Sequence, residues 1–150
     1  GTGDVGEIGE GSGRGATLNL PLAGGAGDAD YAFVFEEVVT PWAARFRPGL
    51  ILVSAGFDAH ERDPLAGMRM SDAGFAHFGS ALRRLAEAHT GGRLAALLEG
   101  GYDLEALGRG SVAFLEGALG RQDEAADASG AGESTRALVR RARSLHGLED

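Results

Sequence analysis

The sequence predicts an α/β fold, a parallel sheet flanked by helices, and three observations carry that prediction. Two short apolar runs, Leu50-Ile51-Leu52-Val53-Ser54-Ala55 and Leu94-Ala95-Ala96-Leu97-Leu98, have the length of buried strands and are bounded by turn residues. Each breaks at glycine and then presents one chemically capable side chain, Asp58 after Gly56-Phe57 and Tyr102 after Gly100-Gly101. Strand-like and helix-like patterns alternate along the chain, the order expected of right-handed parallel crossovers. Ligands of open parallel sheets bind beyond the carboxyl ends of the strands, so Asp58 and Tyr102 are expected at one rim.

Residues 1–15 form a glycine-rich stretch with no element before it and no initiator methionine. Compact domains rarely open this way, so the chain reads as a piece of something longer, truncated at its amino terminus. Gly1-x-Gly3-x-x-Gly6 and Gly11-x-Gly13-x-x-Ala16 formally fit the dinucleotide fingerprint. That motif works only between a strand and a helix. Here a strand pattern follows it and none precedes it, so nucleotide binding is disfavoured. A loop using glycine for tight turns is the better reading.

Ala16-Thr17-Leu18-Asn19-Leu20 alternates and stops at Pro21, which predicts a short strand. Ala23 to Gly27 is a turn. Asp28 then caps a helix with Tyr31, Val34, Phe35, Val38, Trp42 and Phe46 on its apolar face, and Pro41 should kink or split it. The helix stops before Pro48. After Asp58 comes a loop over residues 59–69, and Ser71 caps a helix that turns Phe75, Phe78, Leu82 and Leu85 inward. Gly91-Gly92 ends it. Asp103 opens the last helix of this series, with Leu104, Leu107, Val112, Leu115 and Leu119 expected inside. Residues 1–120 thus read as one structural unit. Residues 121–133 carry no apolar periodicity and read as a disordered acidic linker. Residues 134–150 read as a short basic helical tail, its arginines forming a solvated face or docking on the acidic body.

Charge and composition narrow the function. The net charge is −8, and all 14 basic side chains are arginine against 22 acidic ones, which disfavours nucleic acid and anionic membranes as partners. No run approaches the roughly 20 apolar residues of a membrane span, and no signal peptide opens the chain, so a cytoplasmic protein is expected. Cysteine is absent, which removes disulfides, thiolate catalysis and cysteine zinc sites.

An aspartate after a strand is most often a loop former. Asp58 rises above that because Ala55-Gly56-Phe57 brings it to the sheet rim, and a carboxylate oxygen is a legitimate zinc ligand. His60 reads as a loop histidine, while His77, His89 and His146 fall on or at the ends of helices and suggest local hydrogen bonding. Tyr102 follows two glycines, stays protonated at neutral pH and can donate to a developing oxyanion. From the residues alone, a ring packed against the sheet end is favoured over that role.

Several motifs in register carry a family with them. Ser54-Ala55-Gly56-Phe57-Asp58-Ala59-His60, Asp63-Pro64-Leu65 and Leu98-Glu99-Gly100-Gly101-Tyr102-Asp103-Leu104 resemble the histone deacetylase superfamily, most of all its bacterial class II-like and acetylpolyamine amidohydrolase-like members. Gly1-Thr2-Gly3-Asp4, Gly11-Ser12-Gly13-Arg14-Gly15 and Asn19-Leu20-Pro21-Leu22 look like further segments of it, in order, so the resemblance covers residues 1 to about 120. It implies an arginase/deacetylase-like fold and zinc-dependent hydrolysis of an acetylated lysine, polyamine or other small amide. In such proteins the positions matched by Asp58 and Tyr102 are a zinc ligand and the oxyanion donor. Gly100, with Gly101 beside it, would bind substrate along the acyl-lysine channel. The resemblance also allows K+ in the full domain. The family's tandem histidines and its other zinc ligands lie upstream of the segment matching Gly1. The expectation is therefore a carboxyl-terminal half of a catalytic domain, inactive alone, with a non-catalytic α/β ligand-binding or interaction module as the alternative.

Overall fold

The computed structural model describes residues 2–122 and 126–148. In chain order it contains helix α1 (Asp28–Val34), a π-helical turn (Phe35–Val39), α2 (Thr40–Phe46), strand β1 (Ile51–Ala55), α3 (Asp72–His89), β2 (Leu94–Leu98), α4 (Leu104–Ala118) and α5 (Glu133–His146). β1 and β2 pair in parallel, Ile51 opposite Leu94 through Ala55 opposite Leu98. The α/β alternation is therefore present, with α3 as the crossover between the strands.

The expected strand over Ala16–Leu20 does not form. This segment has no regular secondary structure, and the sheet among the described residues consists of β1 and β2. Its alternation is used for packing: Leu18, Leu20 and Leu22 lie against a core of Val5, Val34, Val38, Val139 and Ala142. Asn19 faces the other way, and its amide donates to the carbonyls of Asp4 and Glu7, both at 3.1 Å, closing the glycine-rich loop. An alternating pattern reports one buried face and is silent on whether that face belongs to a sheet.

Helix starts follow short polar side chains. Ser71 accepts from the Gly74 amide at the start of α3, and Asp103 from the Ala106 amide at the start of α4. At α1 the expected cap shifts. Gly27 is the N-cap, and the carboxylate of Asp30, three residues on, accepts its amide. Asp28 instead accepts the backbone N–H and the hydroxyl of Ser71, which ties the starts of α1 and α3 together. Gly74 makes room for this, since a Cβ there would lie 2.2 Å from the Asp28 carboxylate.

Pro41 interrupts the helix as expected, through the π-helical turn rather than a break. Proline has no N–H to offer the carbonyl four residues back, that of Glu37. Arg143 of α5 supplies the donor instead, its Nη1 lying 2.7 Å from that oxygen. α5 is also bound to α1, where Asp30 accepts from Thr135 Oγ1 at 2.6 Å and from the amide of Gly132, the N-cap of α5, at 2.9 Å. Burial would raise the Asp30 carboxyl, but these donors outweigh it and hold it below the usual range. Arg136 covers the Phe33 ring at 4.7 Å. The basic tail thus docks on the body, the second of its two expected arrangements. In the stretch expected to be a disordered linker, Ala126–Gly132 is held in place, with the Ala126 amide on His77 Nδ1. Residues 123–125 of that stretch lie outside the described residues.

α3 and α4 approach through small residues. The buried face of α4 is Ala106, Gly110, Phe114 and Gly117. This corrects the expected inward set: Leu104, Val112, Leu115 and Leu119 are exposed, and Leu107 alone packs on the core, beside Phe57, Phe75 and Phe114. A Cβ on Gly79 would meet the Phe114 carbonyl at 2.1 Å, and one on Gly117 would meet the Ala76 carbonyl at 2.0 Å. Backbone cannot yield as a side chain does, so the helices would have to separate. Gly117→Ala is expected to lower stability by about 2–3 kcal/mol, the upper range for overpacking, read as a shift of the urea midpoint. An unchanged midpoint would mean that the helices are not in such close contact.

Candidate active site

The two strand ends are joined beyond the strands themselves. The parallel ladder continues through the Glu99 amide to the Ala55 carbonyl at 3.0 Å and the Phe57 amide to the Gly100 carbonyl at 2.8 Å. Phe57 anchors its loop in the core, 5.0 Å from the Phe75 ring centroid and edge-on to Phe114. The next residue, Asp58, is thereby delivered beside Gly100. A Cβ on Gly100 would lie 3.3 Å from the Asp58 carboxylate, and one on Gly56 would lie 2.7 Å away. Gly101 takes φ +133°, and a Cβ there would press on Phe57 and Leu107 at 3.1 and 3.0 Å. The two glycines thus let the Tyr102 loop pass close over the Asp58 loop. Asp58 and Tyr102 share one rim, as the sequence implies.

Their surroundings differ. Asp58 is half-buried, and its carboxylate accepts no hydrogen bond among the described residues. Burial raises the phenol of Tyr31, and the Asp58 charge adds to that effect. Tyr102 is exposed, and its amide donates to Asp63 Oδ2 at 2.7 Å. Asp63 is nearly buried, and its other oxygen accepts from the Leu65 amide at 2.9 Å. Burial would raise its carboxyl. The amides of Leu65, Tyr102, Ala66 and Asp103 prevail and keep it below the usual carboxylate range.

His60 lies in the loop as expected, but its ring is buried. It is 2% exposed and lies parallel to the Phe75 ring. Its Nδ1 accepts from the Arg62 amide at 3.1 Å, a contact that assigns the proton to Nε2, which donates to Asp72 Oδ1 at 3.1 Å. Arg109 Nε holds the other Asp72 oxygen at 2.9 Å. Burial of Asp72 acts upward on its pKa, but Arg109 and His60 bring it below the usual range. This network fastens the loop after Asp58 to α3 and α4. Sequence reading missed both it and the role of Asp63. The signal available for Asp63 was its place before Pro64, where a carboxylate bonding two residues ahead starts a turn.

Asp58 offers one hard oxygen donor with no competing partner among the described residues, which fits one position of a zinc ion. Among the described residues no group of three histidine, cysteine or carboxylate side chains could hold a metal. The rim therefore fits part of a metal site. The amides of Gly3 and Asp4 are bonded to the Glu7 carboxylate and that of Gly6 to Asp4, while Gly1 lies outside the described residues. A cavity of about 730 Å³ beside Trp42, Phe46 and His146 includes neither Asp58 nor Tyr102.

Parallel strands ending in an aspartate and a tyrosine across paired glycines define an α/β, arginase/deacetylase-like fold, and solved structures agree. The chain matches the crystal structure of the HDA15 HD domain with a TM-score of 0.85 at 33% identity, covering 97% of this chain and 38% of that one. The structure of the histone deacetylase Clr3 matches with a TM-score of 0.87 at 30% identity, over 97% of this chain and 24% of that one. Residues 1–118 match the histone deacetylase domain. The chain is 41% identical over 155 residues to Histone deacetylase 14, chloroplastic, of Arabidopsis thaliana, covering 99% of this chain and 37% of that protein. It is 46% identical over 96 residues to a histone deacetylase-like amidohydrolase of Pseudomonas aeruginosa, covering 64% of this chain and 25% of that protein. The chain belongs to the histone deacetylase family. It spans well under half the length of these relatives.

Proposed function

We propose that this chain supplies the carboxyl-terminal part of the catalytic centre of a zinc-dependent deacetylase, which hydrolyses the amide of an acetylated lysine, polyamine or other small amine. The observation that carries this reading is the juxtaposition of Asp58 and Tyr102 across Gly100-Gly101, fixed by the Phe57–Gly100 backbone bond. In this reading Asp58 is one ligand of a zinc ion, which when bound would polarise the amide carbonyl and activate water. The chain's own residues do three things. Asp58 offers an oxygen that no donor among the described residues claims. The glycines let the tyrosine loop pack close against Asp58, and in this reading the acyl-amine chain of the substrate passes beside them. The exposed phenol of Tyr102 donates its proton in a hydrogen bond to the oxygen that gains charge as the carbonyl becomes tetrahedral.

A histidine pair is needed in this reading to move protons to and from water and the leaving amine, and the sequence contains no adjacent histidines. Residues 1–150 alone are therefore expected to be inactive. The test uses the full-length protein that carries this chain. Bound zinc is measured by elemental analysis and turnover on fluorogenic acetyl-lysine peptides and acetylated polyamines. Expected are about one zinc per chain and hydrolysis abolished by a chelator. A full-length protein that binds no zinc and cleaves neither substrate would favour the alternative, a non-catalytic α/β module.

A further inference from the structure

We infer that Asp63 is a positioning residue for Tyr102: its carboxylate clasps the backbone of the tyrosine loop to the loop that carries Asp58. This deepens the deacetylase reading and rests on it. The Tyr102 side chain makes no hydrogen bond or ring contact among the described residues, and it is 59% exposed. Its placement must come from the backbone, yet the two residues before it are glycines, the least constrained residues of all. Gly100 is held through its carbonyl on the Phe57 amide at 2.8 Å. The next fixed point is the Tyr102 amide itself, on Asp63 Oδ2 at 2.7 Å. Without that bond, Gly101 would be free to swing the phenol.

Asp63 is built for this task from the other side. Its amide donates to the His60 carbonyl at 2.8 Å, and its second oxygen is taken by the Leu65 amide at 2.9 Å. His60 is in turn buried against Phe75 and bonded to Asp72. A chain of fixed groups thus runs from the core, through His60 and Asp63, to the amide of Tyr102. Both oxygens of Asp63 accept from N–H groups. Asparagine offers one oxygen and one NH2, so it must lose one bond and set a donor against a donor.

The test is made in the full-length protein, on an acetyl-lysine substrate, with Asp63→Asn, Tyr102→Phe and the double variant. Asp63→Asn is expected to lower kcat about 10- to 100-fold, as for a misplaced group, with KM changed less than about threefold and zinc content unchanged. In the Tyr102→Phe background the same change should cost almost nothing further, because the group it positions is gone. Hydrogen exchange of the segment 99–104 should quicken in Asp63→Asn. Asp63→Glu, which keeps both oxygens, should recover part of kcat, and it serves in place of Asp63→Asn if that variant does not fold. Losses that multiply in the double variant, an unchanged kcat, or lost zinc would overturn the inference. If the unaltered protein hydrolyses nothing, the deacetylase reading falls and the catalytic role with it. The exchange rates would then decide the clasp by themselves, and unchanged exchange would overturn that as well.

Discussion

Tyr102→Phe, introduced into the full-length protein, is expected to lower kcat on an acetyl-lysine substrate by about 10²–10³-fold, the loss of roughly 2.7–4 kcal/mol typical of removing one oxyanion donor. KM should move little, because the bond concerned strengthens only as the carbonyl oxygen gains charge. Zinc content should not change, since the hydroxyl is no metal ligand in the proposed site. The fold should not change either: the Tyr102 side chain is exposed and bonded to nothing among the described residues, so deleting its oxygen removes no internal contact. Unchanged deacetylation in this variant would remove the proposed role of Tyr102.

Asp58→Ala is expected to abolish both zinc binding and turnover in the full-length protein, measured by elemental analysis and by the same assay. Loss of one of few protein ligands leaves a coordination position for water and weakens the site as a whole. The carboxylate supports no hydrogen bond among the described residues. A structural aspartate would behave otherwise. Removing it should leave the stability of the metal-free protein within about 0.5 kcal/mol, the range of surface changes away from special features. A variant that keeps its zinc would disprove the ligand assignment. One that loses zinc together with its fold would give Asp58 a structural duty that the geometry does not suggest.

What the sequence made legible was local. The two strand ends stand out because an apolar run, a glycine and a reactive side chain follow one another within nine residues each. The caps Ser71 and Asp103 are equally local, each a short polar side chain beside its own helix. Pro41 announces its interruption because the missing N–H is a property of the residue. Relations between distant segments were not legible. The alternation in Ala16–Leu20 is the same whether the leucines face a sheet or the helices they meet here. The face of α4 was misassigned because large apolar residues mark burial in a pattern. The true contact with α3 depends on what is absent, side chains at Gly79 and Gly117. Asp63 reaches an amide 39 residues away. Every residue but proline has such an amide, so nothing in the sequence distinguishes that partner.

The bond from Arg143 to the Glu37 carbonyl bears on where this protein can be cut. The family pattern ends at residue 118, but the physical unit does not. A chain stopped there would lose Val139 and Ala142 from beside Val5, Val34 and Val38. It would also lose Thr135 from Asp30, and the guanidinium that stands in for the N–H Pro41 lacks. The proline and the arginine, about a hundred residues apart, behave as one device: the first opens a gap in a helix, and the second closes it only if the tail is present. Expression boundaries for this domain therefore belong after α5, and a variant at Pro41 is best judged together with one at Arg143.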